Sequence, residues 1–288
     1  NSRGFDLIKQ KYCNEILNMD TDSVPVLCNQ ENFVLKGNGH IIQNALQGFH
    51  AFIKPAKKEH IEGRPANGMF IAIPGQLRNK CKDISPNHSR IQAVLLETNE
   101  KGMMIVNAYF PPDTKTGKYE NDTDLEDVLA TIENLIEAYQ CNSVVIVGDL
   151  NCDYTKQNGR VHRLKKFLSS NSMETAWESF KVDYTHEFEK KGISYTSTID
   201  HILWNQSLKD RISGCGVLHS INNTSDHSPI FCEIRKTIIT EKFSEDEKNE
   251  RTGIRTHSLN EEDWKVFHND LEARLEAIST PNCAECRN

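Results

Sequence analysis

The sequence predicts a layered α/β or α+β domain ending near residue 236. Three observations carry this. Short β-rich runs alternate with segments of helical periodicity, the clearest helix leads directly into a wholly apolar strand, and the composition turns polar from Lys236 onward. A hydrophobic content of 37% over 288 residues is enough for a sizeable core.

Phe5, Ile8, Tyr12 and Ile16 recur at helical spacing and predict a helix over residues 4–18. Val24 to Cys28 reads as a short strand, followed by strands at 68–74, 91–97 and 103–109. The turn signal at 99–102 separates the last two, which are expected to pair as an antiparallel hairpin. Residues 122–139 predict a helix with Leu125, Val128, Leu129, Ile132, Leu135, Ile136 and Tyr139 on one face. A buried strand at 143–147 and a basic helical segment near 161–170 come next. Strands are expected again at 198–204 and 228–234, beside charged residues that a plain core strand would not need. Residues 237–257 read as a polar linker. Ser258 to Glu261 has the form of a capping box, and Trp264, Phe267, Leu271, Leu275 and Ile278 make the stripe of a final helical segment, 258–288. That stripe is expected to lead into a further domain, or to dock back on the first.

No run of 18 apolar residues exists, and the opening residues lack the order of a secretory signal, so an intracellular chain away from membranes is expected. It starts without methionine and almost at once with a helical pattern, which reads as a fragment. Nine scattered cysteines are expected to be mostly reduced, and the single C-x-x-C at Cys283 and Cys286 lacks the second pair of a zinc site. Residues 237–288 carry 7 Lys/Arg and 12 Asp/Glu, which leaves 27 and 29 for the first 236. The net charge of -7 is therefore mostly in the tail. Lys54 to Lys58, Arg78 to Lys82 and Arg160 to Lys166 are candidates for compensating basic surface.

The chemistry lies in polar residues at the ends of apolar strands. They are Asn1, Gln30-Glu31, Asn107-Ala-Tyr109-Phe-Pro111, Gly148-Asp149-Leu-Asn151, Ser197-Thr-Ile-Asp200 and Ser225-Asp226-His227-Ser-Pro229. Singly, each has a structural explanation: Tyr109 as core, Asp149 or Asn151 as a turn residue, Asp200 as a satisfied buried group. Together they point to catalysis. Carboxylates converging in one cleft repel one another unless a divalent cation neutralises them, and all-oxygen ligands suit Mg²⁺ or Mn²⁺. A histidine beside them can stabilise phosphate, with a neighbouring aspartate to hold its ring.

In this order, Q-E, N-x-Y-x-P, G-D-L-N, I-D-x-I-L and S-D-H-S-P resemble the endonuclease/exonuclease/phosphatase superfamily over residues 1 to about 236. The resemblance implies a four-layered α/β-sandwich, DNase I-like, of two packed mixed sheets flanked by helices, with its first strand missing here. It implies Glu31 as principal metal ligand, with Asn1 and Asp226 near the metal. It implies Asp149 as the group that orients or deprotonates the attacking water, Asn151 and Tyr109 as phosphate contacts, and His227 paired with Asp200. The stretch Ser197-Thr-Ile-Asp200-His-Ile-Leu203 is similar to endonucleases of non-LTR retrotransposons, where the serine contacts DNA phosphate; Tyr184-Thr185 is similar to a pair of the same branch, and Thr185 is expected near DNA.

This likeness implies a Mg²⁺-dependent DNA endonuclease that leaves a 3′-hydroxyl, acts in the nucleus, and has a reverse-transcriptase domain in the same polyprotein. A phosphomonoesterase for inositol or lipid head groups, an RNA nuclease, and a domesticated scaffold without turnover remain as alternatives.

Overall fold

The computed structural model of the chain describes residues 4–17, 24–58, 63, 65–98, 102–112, 120–220 and 222–235. All lie in the first of two compact units, Asn1–Ile239. Asn1, the expected linker and the expected final helical segment fall outside the described residues.

The helices are α1 (Leu7–Leu17), α2 (His40–Ala45), α3 (Glu120–Tyr139), α4 (Gly159–Ser170) and α5 (Ala176–Ser179). The first strands are β1 (Leu27–Gln30), β2 (Phe49–Lys54), β3 (Met69–Pro74), β4 (Cys81–Asp83), β5 (Ile91–Leu96) and β6 (Met103–Tyr109). They are followed by β7 (Ser143–Asp149), β8 (Met173–Thr175), β9 (His186–Lys190) and β10 (Ile193–Ser197). The last are β11 (Asp200–Asn205), β12 (Ile212–Val217) and β13 (Ile230–Ile234).

A six-stranded sheet in the order β4-β5-β6-β7-β11-β8 forms the centre. Its β6–β7 pair is parallel and its other pairs are antiparallel. The helix α3 supplies the crossover that a parallel pair requires. Side chains alternate along each strand, and both faces of this sheet are apolar. Met104, Val106, Val144, Ile146 and Leu203 pack with Val128 and Ile132 of α3 and Val161 and Leu164 of α4. Their neighbours Met103, Ile105, Val145, Ile202 and Trp204 point the other way, onto Ile71 and Ile73 of β3 and the partly buried Cys215 and Cys232 of β12 and β13. The far side of β3 presents Phe70 and Ala72 to Phe5, Cys13, Ile42 and Leu46. Helix, sheet, sheet, helix: this is the four-layered sandwich.

The second sheet layer is built from β1-β3-β2, antiparallel in its pairs, and from the antiparallel pair β12–β13. Among the described residues no helix intervenes between β2 and β3 or between β12 and β13, and without a crossover consecutive strands pair antiparallel. The first strand begins three residues later than the run Val24 to Cys28, after Pro25, which has no N–H to give to a ladder.

Two expected basic surface groups are built into the fold instead. Lys54 Nζ donates to the carbonyls of Pro86 (2.9 Å), His88 (2.7 Å) and Ile91 (2.6 Å). Burial lowers its pKa. Arg160 is buried, and its Nη2 donates to Pro111 O (2.6 Å). Lys57, Lys58, Lys165 and Lys166 are exposed as expected. None of the seven cysteines among the described residues forms a disulfide.

Candidate active site

The period-two alternation that fills the space between the sheets also delivers the polar residues to its rim. Tyr109 is register partner of Asp149, and Asp149 of Asp200, so one row of three adjacent strands ends in a phenol and two carboxyl groups on the inter-sheet face. Two residues earlier on β6, Asn107 is fully buried and latches the layers together. Its amide donates to Asn29 O (3.0 Å) and Phe70 O (3.1 Å) and accepts from the Gln30 amide. Buried amides satisfied in this way fix a unique pairing of the layers. Glu31 follows directly, in a left-handed conformation (φ 54°), with its carbonyl accepting from Gly4 N.

The G-D-L-N turn explains itself residue by residue. Gly148 has φ 147°, and a Cβ there would lie 1.9 Å from Ala108 O, so only glycine fits. Asn151 N–H donates to Asp149 Oδ1 (2.9 Å), an Asx turn that holds the carboxylate. Asn151 Nδ2 donates to Phe110 O, and Phe110 N to Asp149 O, so the ends of β6 and β7 are tied on both sides of the cleft.

His227 Nδ1 lies 2.9 and 3.1 Å from the two oxygens of Asp200, and its Nε2 lies 3.9 Å from Asp149 Oδ2. Burial on its own would raise the Asp200 carboxyl; the charge on His227 and its hydrogen bond outweigh that and hold the group below the ordinary carboxylate range. Tyr109 is displaced in the opposite direction. Burial, then the charges of Glu31 and Asp149, raise its phenol well above the usual value, and its hydroxyl bonds to Glu31. Arg90, 5.2 Å from the ring centroid, opposes them.

That crowding tests the fit of a divalent cation. Glu31 and Asp149 act on one half-buried phenol, so both carboxylates border a single strongly negative niche, a donor set that fits a hard cation. Among the described residues, two groups of three have ligand atoms within 4.8 Å of one another: Asp149, Asp200 and His227, and His186, Asp226 and His227. Glu31 is in neither; Tyr109 links it to the rest. With Asn1 outside the described residues, the expected Glu31, Asn1 and Asp226 set is seen only in part.

Thr185, expected near DNA, is fully buried. Its hydroxyl accepts from the N–H groups of Ile199 and Asp200 (both 3.0 Å) and bonds to the Asp200 carboxyl, so it is a positioning residue beneath Asp200. Ser197 ends β10 at the cleft, partly exposed, with its hydroxyl 3.2 Å from His186 Nδ1. His186 is a site residue that sequence reasoning missed. It faces His227 as a bridge partner across the cleft wall, and no strand was expected at 186–190. A signal for it exists: Lys191-Gly192, both at positive φ, closes a two-residue hairpin between alternating runs.

Residues 103–231 match the family Exo_endo_phos_2, described as Endonuclease-reverse transcriptase. No curated protein matches the chain. Solved structures do. The endonuclease domain of TRAS1, a telomere-specific non-LTR retrotransposon, is 20% identical, covers 66% of this chain and 81% of its own, and has a TM-score of 0.50. The 3′ phosphatase NExo from Neisseria, bound to a product DNA hairpin, is 14% identical, covers 82% and 97%, and has a TM-score of 0.62. The AP endonuclease LMAP from Leishmania major is 13% identical, covers 82% and 86%, and has a TM-score of 0.60. The four layers and the latched strand ends are thus those of a DNase I-like fold, and the stretch from β6 to the start of β13 is similar to the Exo_endo_phos_2 family.

Proposed function

We propose that the chain is a Mg²⁺-dependent DNA endonuclease of a non-LTR retrotransposon, nicking target DNA in the nucleus to leave a 3′-hydroxyl for a reverse transcriptase of the same polyprotein. The row Tyr109, Asp149, Asp200 with His227 against it carries this reading. Glu31, Asp149 and Asp226 would hold the ion, which when bound polarises the phosphate and offsets charge on the oxygen that leaves. Asp149, held by the Asn151 amide, positions the attacking water and accepts its proton. Asn151 and Tyr109 orient the phosphate. His227, its ring oriented through Nδ1 by Asp200, would donate Nε2–H toward the charge that develops on phosphate.

A polymer substrate fits better than a small head group because of the β9–β10 hairpin. Phe188 and Tyr195 stack on it (centroids 5.2 Å, interplanar angle 14°) and are 44% and 45% exposed, with Lys190 and Lys191 at its tip. Apolar side chains on a protruding ribbon beside basic residues suit a nucleic-acid groove. Nicking of supercoiled plasmid is expected to require Mg²⁺ or Mn²⁺, to stop with a chelator, and not to be restored by Zn²⁺. Undiminished cleavage in excess chelator would overturn the metal assignment. End-labelling the nick by a polymerase reads the 3′-hydroxyl directly.

The domain is taken to end near Lys236, with 237–257 as linker. A chain truncated there is expected to keep most of its nicking rate, since the described site residues all precede Ile230. Normal circular dichroism with lost activity would move the boundary.

A further inference from the structure

His186 has no part in the proposed hydrolysis, yet it is buried against the histidine that does. The two rings lie with centroids 4.6 Å apart at an interplanar angle of 59°. Each has its Nδ1 engaged by an oxygen: His186 by Ser197 Oγ at 3.2 Å, His227 by Asp200 at 2.9 Å. With Nδ1–H donating, the lone pair of a neutral imidazole is on Nε2. The Nε2 of His186 lies 3.4 Å from Asp226 Oδ2. A ring nitrogen from each histidine and an oxygen of Asp226 fall within 4.8 Å of one another.

Two imidazoles and a carboxylate are the donor set of an open zinc site, unlike the all-oxygen set that suits magnesium. Zinc bonds of about 2.0–2.2 Å need donors roughly 3.3–3.6 Å apart. The His186–Asp226 pair already has that spacing. Ser197 and Asp200 are the outer partners that orient histidine ligands and raise their basicity. Asp226 also lines a cavity shared with Tyr184, Glu187, His219, Asn223 and Ser228, which provides a path for an ion to enter.

We propose that His186, Asp226 and His227 form a transition-metal site that takes Zn²⁺ or Co²⁺, and that the bound ion inhibits hydrolysis by occupying the nitrogen His227 offers to phosphate. The inhibitory half rests on the endonuclease reading; the binding half does not.

The test uses the full chain with Cys283→Ser and Cys286→Ser, so that the tail thiols do not compete for metal. Zn²⁺ is titrated by calorimetry with Mg²⁺ present, and Co²⁺ is followed by its visible spectrum. One equivalent is expected to bind, with d–d bands and no thiolate charge-transfer band. His186→Gln should weaken Zn²⁺ binding at least about tenfold and remove those bands, and Asp226→Asn should do the same if His186→Gln folds poorly. The Zn²⁺ concentration that halves each protein's own Mg²⁺-dependent nicking rate should rise by a similar factor in His186→Gln. Unchanged Zn²⁺ affinity in both variants, or no stoichiometric binding by the parent, would overturn the site. Binding that depends on His186 without any inhibition of nicking would overturn the inhibitory half. Absence of nicking with every metal would overturn the endonuclease reading and leave the binding result standing.

Discussion

Asp149→Ala is expected to lower the single-turnover rate of plasmid nicking by about 10²- to 10⁴-fold, the usual cost of a lost general base, with DNA affinity unchanged or tighter. Asp149 is almost fully buried in the middle of the row, between Tyr109 and Asp200. One carboxylate oxygen is fixed by the Asn151 N–H and the other faces His227, so the group is pre-set for one task. The loop that carries it is held by main-chain bonds from Phe110 N to Asp149 O and from Leu150 N to Ile199 O, which the substitution leaves in place. The Asn151 N–H loses its acceptor, at a cost of about 1 kcal/mol to stability. Asp149→Asn keeps an acceptor there and separates that loss from catalysis. Affinity is kept or gains because a negative charge facing phosphate has gone. Rates within tenfold of wild type would show that another group positions the water.

The parts of this site that are legible in the sequence are those where an apolar strand ends abruptly in polar residues. Val144 to Val147 before Gly148-Asp149, and Ile199 to Leu203 around Asp200, stand out because a buried strand has no other reason to carry a carboxylate. Glu31 is legible as a ligand type, but its left-handed backbone and its link to Tyr109 come from tertiary contacts that no local pattern encodes. Thr185 illustrates the opposite failure. The likeness of Tyr184-Thr185 to a family pair puts Thr185 near DNA, whereas the fold turns it inward to receive two N–H groups beneath Asp200. The strands that sequence pattern misses lack a clear apolar run. β2, β4, β8 and β12 run for three to six residues, too few turns of alternation to stand out, and they become strands through their partners in the sheet. β9 and β10 are readable from Lys191-Gly192, and His186 is missed wherever that turn is passed over.

Asp200→Asn and His227→Ala are each expected to reduce turnover strongly, and the double variant is expected to be less impaired than the two losses summed. His227→Ala removes the donor aimed at phosphate, a loss on the order of 3 kcal/mol or more in transition-state stabilisation. Asp200 touches no substrate; it acts through Nδ1 of His227, so once the ring is gone its own removal has little left to change. Its carboxyl is held below the ordinary carboxylate range, so it remains charged at every pH where a carboxylate-dependent nuclease works. A depressed carboxyl adds stability above its unfolded pKa and loses that contribution as pH falls through the folded value, so the stability gap between wild type and Asp200→Asn should be widest near neutrality and close in acid. In the rate, the substitution should move the acidic-to-neutral part of the pH profile, which a merely structural residue would leave in place. Single-turnover rates against pH for wild type, both single variants and the double variant read the coupling directly. Strict additivity, with an unmoved profile in Asp200→Asn, would show that the 2.9 Å contact does not operate as a pair in catalysis.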